Sequence, residues 1–252
     1  MTNRMAASRA ASALAGSLTA FFATTPAFAG EFSLGLAAGT QTTLYRDQDD
    51  EAFVIPVVGY EGERFSYFLD TAAYQLFGGE AGETGWRVRA LASARIFDQP
   101  KRNADLEKRH STVDVGLESG AQGPWGSLNL QFLTDAMNHH DGFEIDLTYA
   151  YELKVTERLS LSPSLGISYY DEKLADYYFG VRPSEVRTSR AEYHPGKSGV
   201  ATVGLMTIYA LTDHWMLVGV VEEMVLSDEL ADSPLVETDS STTALVGVLY
   251  RF

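Results

Sequence analysis

With 252 residues and no cysteine, the chain is long enough for one large domain or two ordinary ones and cannot rely on disulfides. Its 19 Lys and Arg stand against 34 Asp and Glu, a formal net charge of -15, which argues against nucleic acid as a partner. Although 45% of the residues are hydrophobic, with 13 Tyr and 13 Phe, no apolar run after residue 29 approaches the roughly 18 residues that a membrane-spanning helix needs.

Arg4 and Arg9 precede a mostly small and apolar run, Ala10 to Phe22, which is followed by Ala27-Phe28-Ala29, a small-x-small cleavage pattern. Residues 1–29 therefore read as a cleaved signal peptide for export. Removing its two arginines lowers the formal charge from -15 to -17. The rival reading, a membrane anchor, is opposed by Ser12, Gly16, Ser17 and Thr19 within the run.

Residues 30–252 read as one all-β domain, an antiparallel transmembrane β-barrel in the outer membrane of a Gram-negative cell. From Leu159 the residues Leu161, Pro163, Leu165, Ile167 and Tyr169 are apolar, and Ser160, Ser162, Ser164, Gly166 and Ser168 between them are small or polar. A period of two gives a strand two different faces. Strands are expected near 31–40, 52–60, 63–70, 73–79, 86–97, 112–121, 125–134, 142–152, 158–169, 199–210, 214–226 and 241–252. Single-chain bacterial barrels have even strand numbers, so about twelve strands are favoured over eleven, with ten the remaining even alternative.

Short turns near residues 61–62, 123–124, 154–157 and 211–213 alternate with long segments at 41–51, 98–111, 135–141, 170–198 and 227–240. By the usual rule the short turns face the periplasm and the long loops the outside. Most long loops are acidic, as in Asp47, Asp49, Asp50 and Glu51. The 98–111 loop is basic, with Lys101, Arg102, Lys108 and Arg109.

If Trp86, Val88, Ala90, Ala92 and Ala94 face lipid, then Arg87, Arg89 and Arg95 face the lumen. The next strand places Asp114 and Glu118 inward, and Glu144, Asp146 and Glu152 extend an acidic wall. Unpaired charge in a narrow lumen is costly, so these residues are expected to pair as a lumen charge network. A network that fills the barrel is the plainer reading, and a narrow pore lined by arginines facing carboxylates is the sharper one.

No catalytic site, metal site or cofactor is expected. His139-His140-Asp141 and His110-Ser111 are the suggestive clusters, but adjacency in sequence does not make a nucleophile, a base and an orienting group converge. There is no Gly-x-Ser-x-Gly elbow. The acidic run from Asp47 to Glu51 lacks the glycine turn and distal glutamate of a calcium loop, and two adjacent histidines on a strand point to opposite faces. One local conflict stands out, since Glu222 and Glu223 cannot both face the lumen of a regular strand. A bulge resolves it, or the strand has left the membrane there, which is the favoured reading.

The chain stops on an aromatic residue, and Ala244, Val246, Val248, Tyr250 and Phe252 alternate with Leu245, Gly247, Leu249 and Arg251. This reads as the closing strand, with Val248, Tyr250 and Phe252 as a signal to the barrel assembly machinery, and closure onto the first strand removes the exposed edge. The segments Leu159 to Gly166, Tyr177 to Val181, Tyr209 to Trp215, Ala231 to Pro234 and Tyr250 to Phe252 together resemble the MipA/OmpV family of outer-membrane proteins.

That resemblance implies a barrel with a scaffolding role, linking the outer membrane to a murein lytic transglycosylase or peptidoglycan synthase. Its surroundings would be outer-membrane lipid and lipopolysaccharide. A narrow channel for small solutes and an envelope lipid- or glycan-modifying enzyme are the rival functions.

Overall fold

The computed structural model describes residues 30–46, 48–81, 84–97 and 106–252. The expected signal peptide, Asp47 of the acidic loop, and Lys101 and Arg102 of the basic loop lie outside the described residues. The strands are β1 (Glu31–Gln41), β2 (Glu51–Glu61), β3 (Phe65–Phe68), β4 (Thr71–Ala81), β5 (Thr84–Arg95), β6 (Thr112–Gly123), β7 (Gly126–Asp135), β8 (Phe143–Ala150), β9 (Leu153–Lys154), β10 (Leu159–Tyr170), β11 (Ser198–Ala210), β12 (Trp215–Leu226) and β13 (Ser240–Arg251). Because β8 and β9 both pair with β10, they form one interrupted stave. The staves therefore number twelve, all antiparallel, and β1 closes the cylinder on β13 from Ser33 opposite Arg251 to Gln41 opposite Thr243.

Alternation explains which side chains are inside. On β7, Leu128, Leu130 and Phe132 are exposed on the outer face, and Ser127, Asn129 and Gln131 are buried. The outward residues Phe32, Leu34 and Leu36 of β1 and Val246 and Val248 of β13 continue the same apolar belt. No described helix is long and apolar enough to cross a membrane.

The interior is divided lengthwise. From β1, β2, β11, β12 and β13 come Ala37, Phe53, Ile55, Val57, Met206, Val218, Val220 and Leu249, which pack into a buried apolar core inside the barrel. Burying each of the larger side chains stabilises by about 1.5–3 kcal/mol. The opposite wall, on β5 to β8 and β10, is polar. The sequence marks only this polar half, because β2 is apolar on both faces and its spacing does not say which face turns inward.

β3 is short, and the β3–β4 hairpin turns at Leu69 and Asp70 well inside the wall. β2 pairs with β3 only through Gly59, Tyr60 and Glu61, although it pairs with β1 along its full length. The Val58 carbonyl accepts the Leu69 N–H at 3.0 Å, so Val58, Pro56 and Val54 turn their main-chain groups away from β1. Pro56 has no N–H to offer, and it sits where the neighbouring strand is missing. At the turn, Leu69 adopts a left-handed φ of 54°.

The long-loop end carries a roof. α1 (Glu172–Phe179) is capped by Asp171, whose Oδ1 accepts the Leu174 N–H at 3.1 Å and the Phe143 N–H at 2.9 Å. A 3-10 turn (Pro183–Glu185) and a short helix α2 (Asp228–Ala231) follow in the loops. Leu174, Ala175, Tyr178 and Phe179 of α1 pack on Leu44, Val200, Leu226, Leu230 and Val236.

The Glu222–Glu223 conflict resolves without a bulge, since the ladders of β12 to β11 and β13 run unbroken there. Glu222 is buried toward the lumen. Glu223 faces outward and accepts a hydrogen bond from the Thr242 hydroxyl. Among the described residues, a register shift lies elsewhere, on the β4–β5 ladder between Gln75 and Phe77.

Candidate functional site

The charged wall grows from the period of two in β5, which sends Arg87, Arg89, Leu91, Ser93 and Arg95 to one face. Glu118, fully buried, receives Arg89 in a two-point pair, with Nε to Oε1 and Nη2 to Oε2 both 3.0 Å. Arg87 Nε lies 3.4 Å from Oε1, and Gln131 Nε2 donates to Oε2 at 3.0 Å. A buried carboxylate held by two guanidiniums and an amide has its lone pairs satisfied, which offsets the cost of removing it from water.

A second tier lies nearer the long-loop end. Arg95 Nε is 2.7 Å from Asp114 Oδ2, and its Nη2 donates to Glu144. Asp146 accepts from the Ser168 hydroxyl. Ala73, Leu91 and Leu133 form a small apolar belt on the inner face of the same wall. Gly116, between Asp114 and Glu118 on β6, is needed for close strand approach, because a Cβ there would lie 1.7 Å from the Phe132 carbonyl oxygen.

Thus Arg87, Arg89 and Glu118 form one group, and Arg95, Asp114, Glu144 and Asp146 another. A cavity of about 150 Å³ adjoins the second group, and Glu222 also lines it. Four acidic side chains there face one guanidinium; Asp146 and Glu144 are hydrogen-bonded and share a proton, and the remaining carboxylates leave the chamber anionic. Glu152, which was expected to extend the acidic wall, is instead exposed and accepts a hydrogen bond from Ser160 at 2.9 Å.

The histidines separate. His140 turns inward, with Nε2 3.2 Å from Asp114 Oδ1, and its Nδ1 accepts the Gly142 N–H at 3.1 Å. This leaves no free imidazole nitrogen to act as a base toward a nucleophile. His139 stays outside, its ring 5.0 Å from that of His110. Asp114, Asp135 and His140 lie close enough together to be considered as metal ligands. Their lone pairs are already used: Asp135 Oδ2 accepts the main-chain N–H groups of His139, His140 and Asp141, and Oδ1 accepts from Thr112. This is the geometry of a carboxylate that holds a loop.

The roof is pinned by residues whose role the sequence reading did not foresee. Arg109 donates to Glu185 through both Nη atoms, to the Tyr177 carbonyl at 2.7 Å and to the Gly180 carbonyl at 3.1 Å. Burial opposes the ionisation of Glu185, but the bonds from Arg109 and the Arg182 N–H outweigh it and hold the carboxyl down at about 2. A usable signal was present: after Asp171, the spacing of Leu174, Ala175, Tyr178 and Phe179 is that of one helix face.

At the short-turn end, Phe252 N–H donates to the Phe32 carbonyl at 3.0 Å. Its ring lies 5.6 Å from Phe32 and 4.8 Å from Tyr250. Val248 sits opposite Leu36 on β1 and Leu217 on β12, and Arg251 reaches Glu31 at 3.7 Å.

A family model described as MltA-interacting protein MipA matches residues 34–252. The chain belongs to that family. Among MipA-family relatives, it is 32% identical over 232 residues to YiaT of Escherichia coli, covering 90% of this chain and 93% of that protein. It is 30% identical to outer membrane protein OmpV of Vibrio cholerae, covering 88% of this chain and 87% of the relative. It is 29% identical to the MltA-interacting protein of Escherichia coli, covering 88% and 91%. The protein is thus an outer-membrane β-barrel of the MipA type, with twelve staves.

Proposed function

We propose that this MipA-family barrel is a non-enzymatic outer-membrane anchor that docks a peptidoglycan-remodelling enzyme, a murein lytic transglycosylase or a peptidoglycan synthase, at its short-turn rim. The observation that carries the reading is the filled lumen. One half is an apolar core, the other is a paired charge network, and the long-loop end is roofed. Such a cylinder is built as a rigid post.

The docking partner is inferred from the name of the MltA-interacting relative. Trp125, Val155 and Leu211, exposed on the short turns, offer apolar anchors beside charged Glu157, Arg158 and Asp213. A stable interface needs roughly 800 Å² on each side, so the partner must span several turns at once. The absence of enzymatic chemistry is supported by His140, whose Nδ1 is engaged by a main-chain N–H. Lipid and lipopolysaccharide surround the outer belt in this reading, and Val248, Tyr250 and Phe252 present the terminal strand to the barrel assembly machinery.

The test is photocrosslinking in intact envelopes from probes placed at Trp125 and Val155. Recovery of a transglycosylase or synthase is the expected result, and its consistent absence from both positions rejects docking. A narrow channel is the second reading, favoured by the 150 Å³ chamber inside the barrel. Planar-bilayer recordings distinguish it, since a filled post gives no conductance steps.

A further inference from the structure

Beneath α1 lies a second cavity, of about 240 Å³, between the β1–β2 loop, the end of β5 and the roof. It stands beside the recess left by the short β3–β4 hairpin, since β2 and β5 are the staves that flank that hairpin. Five rings, Tyr45, Phe97, Tyr170, Tyr178 and Phe179, line it beside aliphatic side chains. These rings support one another, with Tyr45 stacked on Phe179 at 5.7 Å and edge-on to Phe97 at 5.8 Å. Phe97 lies 5.0 Å from Tyr178.

The floor leads toward the anionic chamber. Arg95, Tyr170, Val200 and Met224 line both cavities, so the two adjoin. Arg95 does not make the floor cationic, because Asp114 and Glu144 neutralise it. Asp146 shares a proton with Glu144, so the further negative charge comes from Glu222, and Glu51 stands in the upper wall. Aromatic faces with carboxylates beyond them recognise a weakly hydrated cation: ring quadrupoles attract the charge at short range and the carboxylates at longer range. An anion meets repulsion from below, and a neutral apolar guest gains nothing from the carboxylates.

We propose that the cavity under the roof is a binding site for a small free alkylammonium cation, held by Tyr45, Phe97, Tyr170, Tyr178 and Phe179 with its charge directed at the carboxylate chamber. This site is independent of docking at the opposite end of the barrel.

The test uses the purified barrel in octyl glucoside micelles, which carry neither charge nor choline, and titrates three solutes of matched shape by calorimetry. Choline is the cation, 3,3-dimethylbutan-1-ol its neutral counterpart and 3,3-dimethylbutanoate the anion. Choline is expected to bind at least about tenfold more tightly than the alcohol, and the anion not at all. Glycerophosphocholine, whose phosphate would face the carboxylates, is expected not to bind.

Phe97→Leu, which keeps the apolar volume and removes the ring, should weaken choline about threefold while leaving the alcohol unchanged. Glu222→Gln, outside the aromatic wall, should weaken choline alone. Heat-modifiable migration confirms that each variant is folded. Equal affinity for choline and the alcohol, no choline binding, or equal binding of glycerophosphocholine overturns the proposal.

Discussion

Arg109 and Glu185 lie 76 positions apart in the chain and meet in a buried two-point ion pair, with Nη2 2.9 Å from Oε2. The pair ties the β5–β6 loop to the β10–β11 loop above the lumen. Removing one partner of such a pair leaves a buried charge uncompensated, at a cost of about 3–5 kcal/mol. Arg109→Ala is therefore expected to expose residues 172–190 to added protease on whole cells, with the barrel's heat-modifiable migration unchanged. A roof that stays protease-resistant contradicts the pin. The double variant Arg109→Met, Glu185→Leu should recover much of the resistance.

The roof should also depend on pH in two opposite senses. Glu185 is depressed from its ordinary 4.5 to about 2, so its contribution is complete above about 4.5 and lost as pH falls toward 2. His194 is raised above 6.5 by its hydrogen bond to Asp176, at 2.6 Å, so its smaller, solvent-screened contribution is present below 6.5 and lost as pH rises through the folded value. Hydrogen exchange of the 172–194 amides, corrected for intrinsic rates, should be slowest between about pH 4.5 and 6.5. A flat profile from pH 3 to 8 contradicts both assignments.

Within the lumen, Glu118 matters more than either arginine that binds it. Glu118→Ala leaves Arg87 and Arg89 facing each other without their carboxylate, and a loss of about 3–5 kcal/mol is expected. Arg89→Ala leaves Glu118 still held by Arg87 and Gln131, so its cost should be smaller. Unfolding midpoints in urea, measured in the same detergent, give the ranking, and the reverse order disproves the pairing.

The recess beside β2 predicts an unusual tolerance. Pro56 breaks no ladder, so Pro56→Ala should shift stability by less than about 0.5 kcal/mol. Val57→Pro removes an N–H that β2 directs toward Gly35 on β1 and should cost about 3 kcal/mol. Similar losses for the two variants would mean that Pro56 faces a partner after all.

Deleting Phe252 removes one main-chain bond to Phe32 and two ring contacts. If the terminal aromatic serves assembly, the deletion lowers the amount of barrel reaching the outer membrane more than it lowers the urea midpoint of the barrel that does. Outer-membrane levels equal to those of the unaltered protein would rule that role out.

The sequence by itself determined the barrel and the inward set on β5 and β6, and favoured twelve staves over ten. Those features follow from a period of two, which any local stretch displays: Arg87, Arg89 and Arg95 must share a face, as must Asp114 and Glu118. Tertiary structure alone decided which charges meet. Glu144 reaches Arg95 although β6 and β7 stand between their staves, and that depends on strand register and tilt rather than on spacing. It also decided that β2 turns Phe53, Ile55 and Val57 inward, since a strand apolar on both faces has no local preference between lumen and lipid. The roof helix has a helix-face spacing of its own, but its pin does not: Arg109 and Glu185 carry no mutual signal along the chain, and only the closed ring of staves brings their loops together.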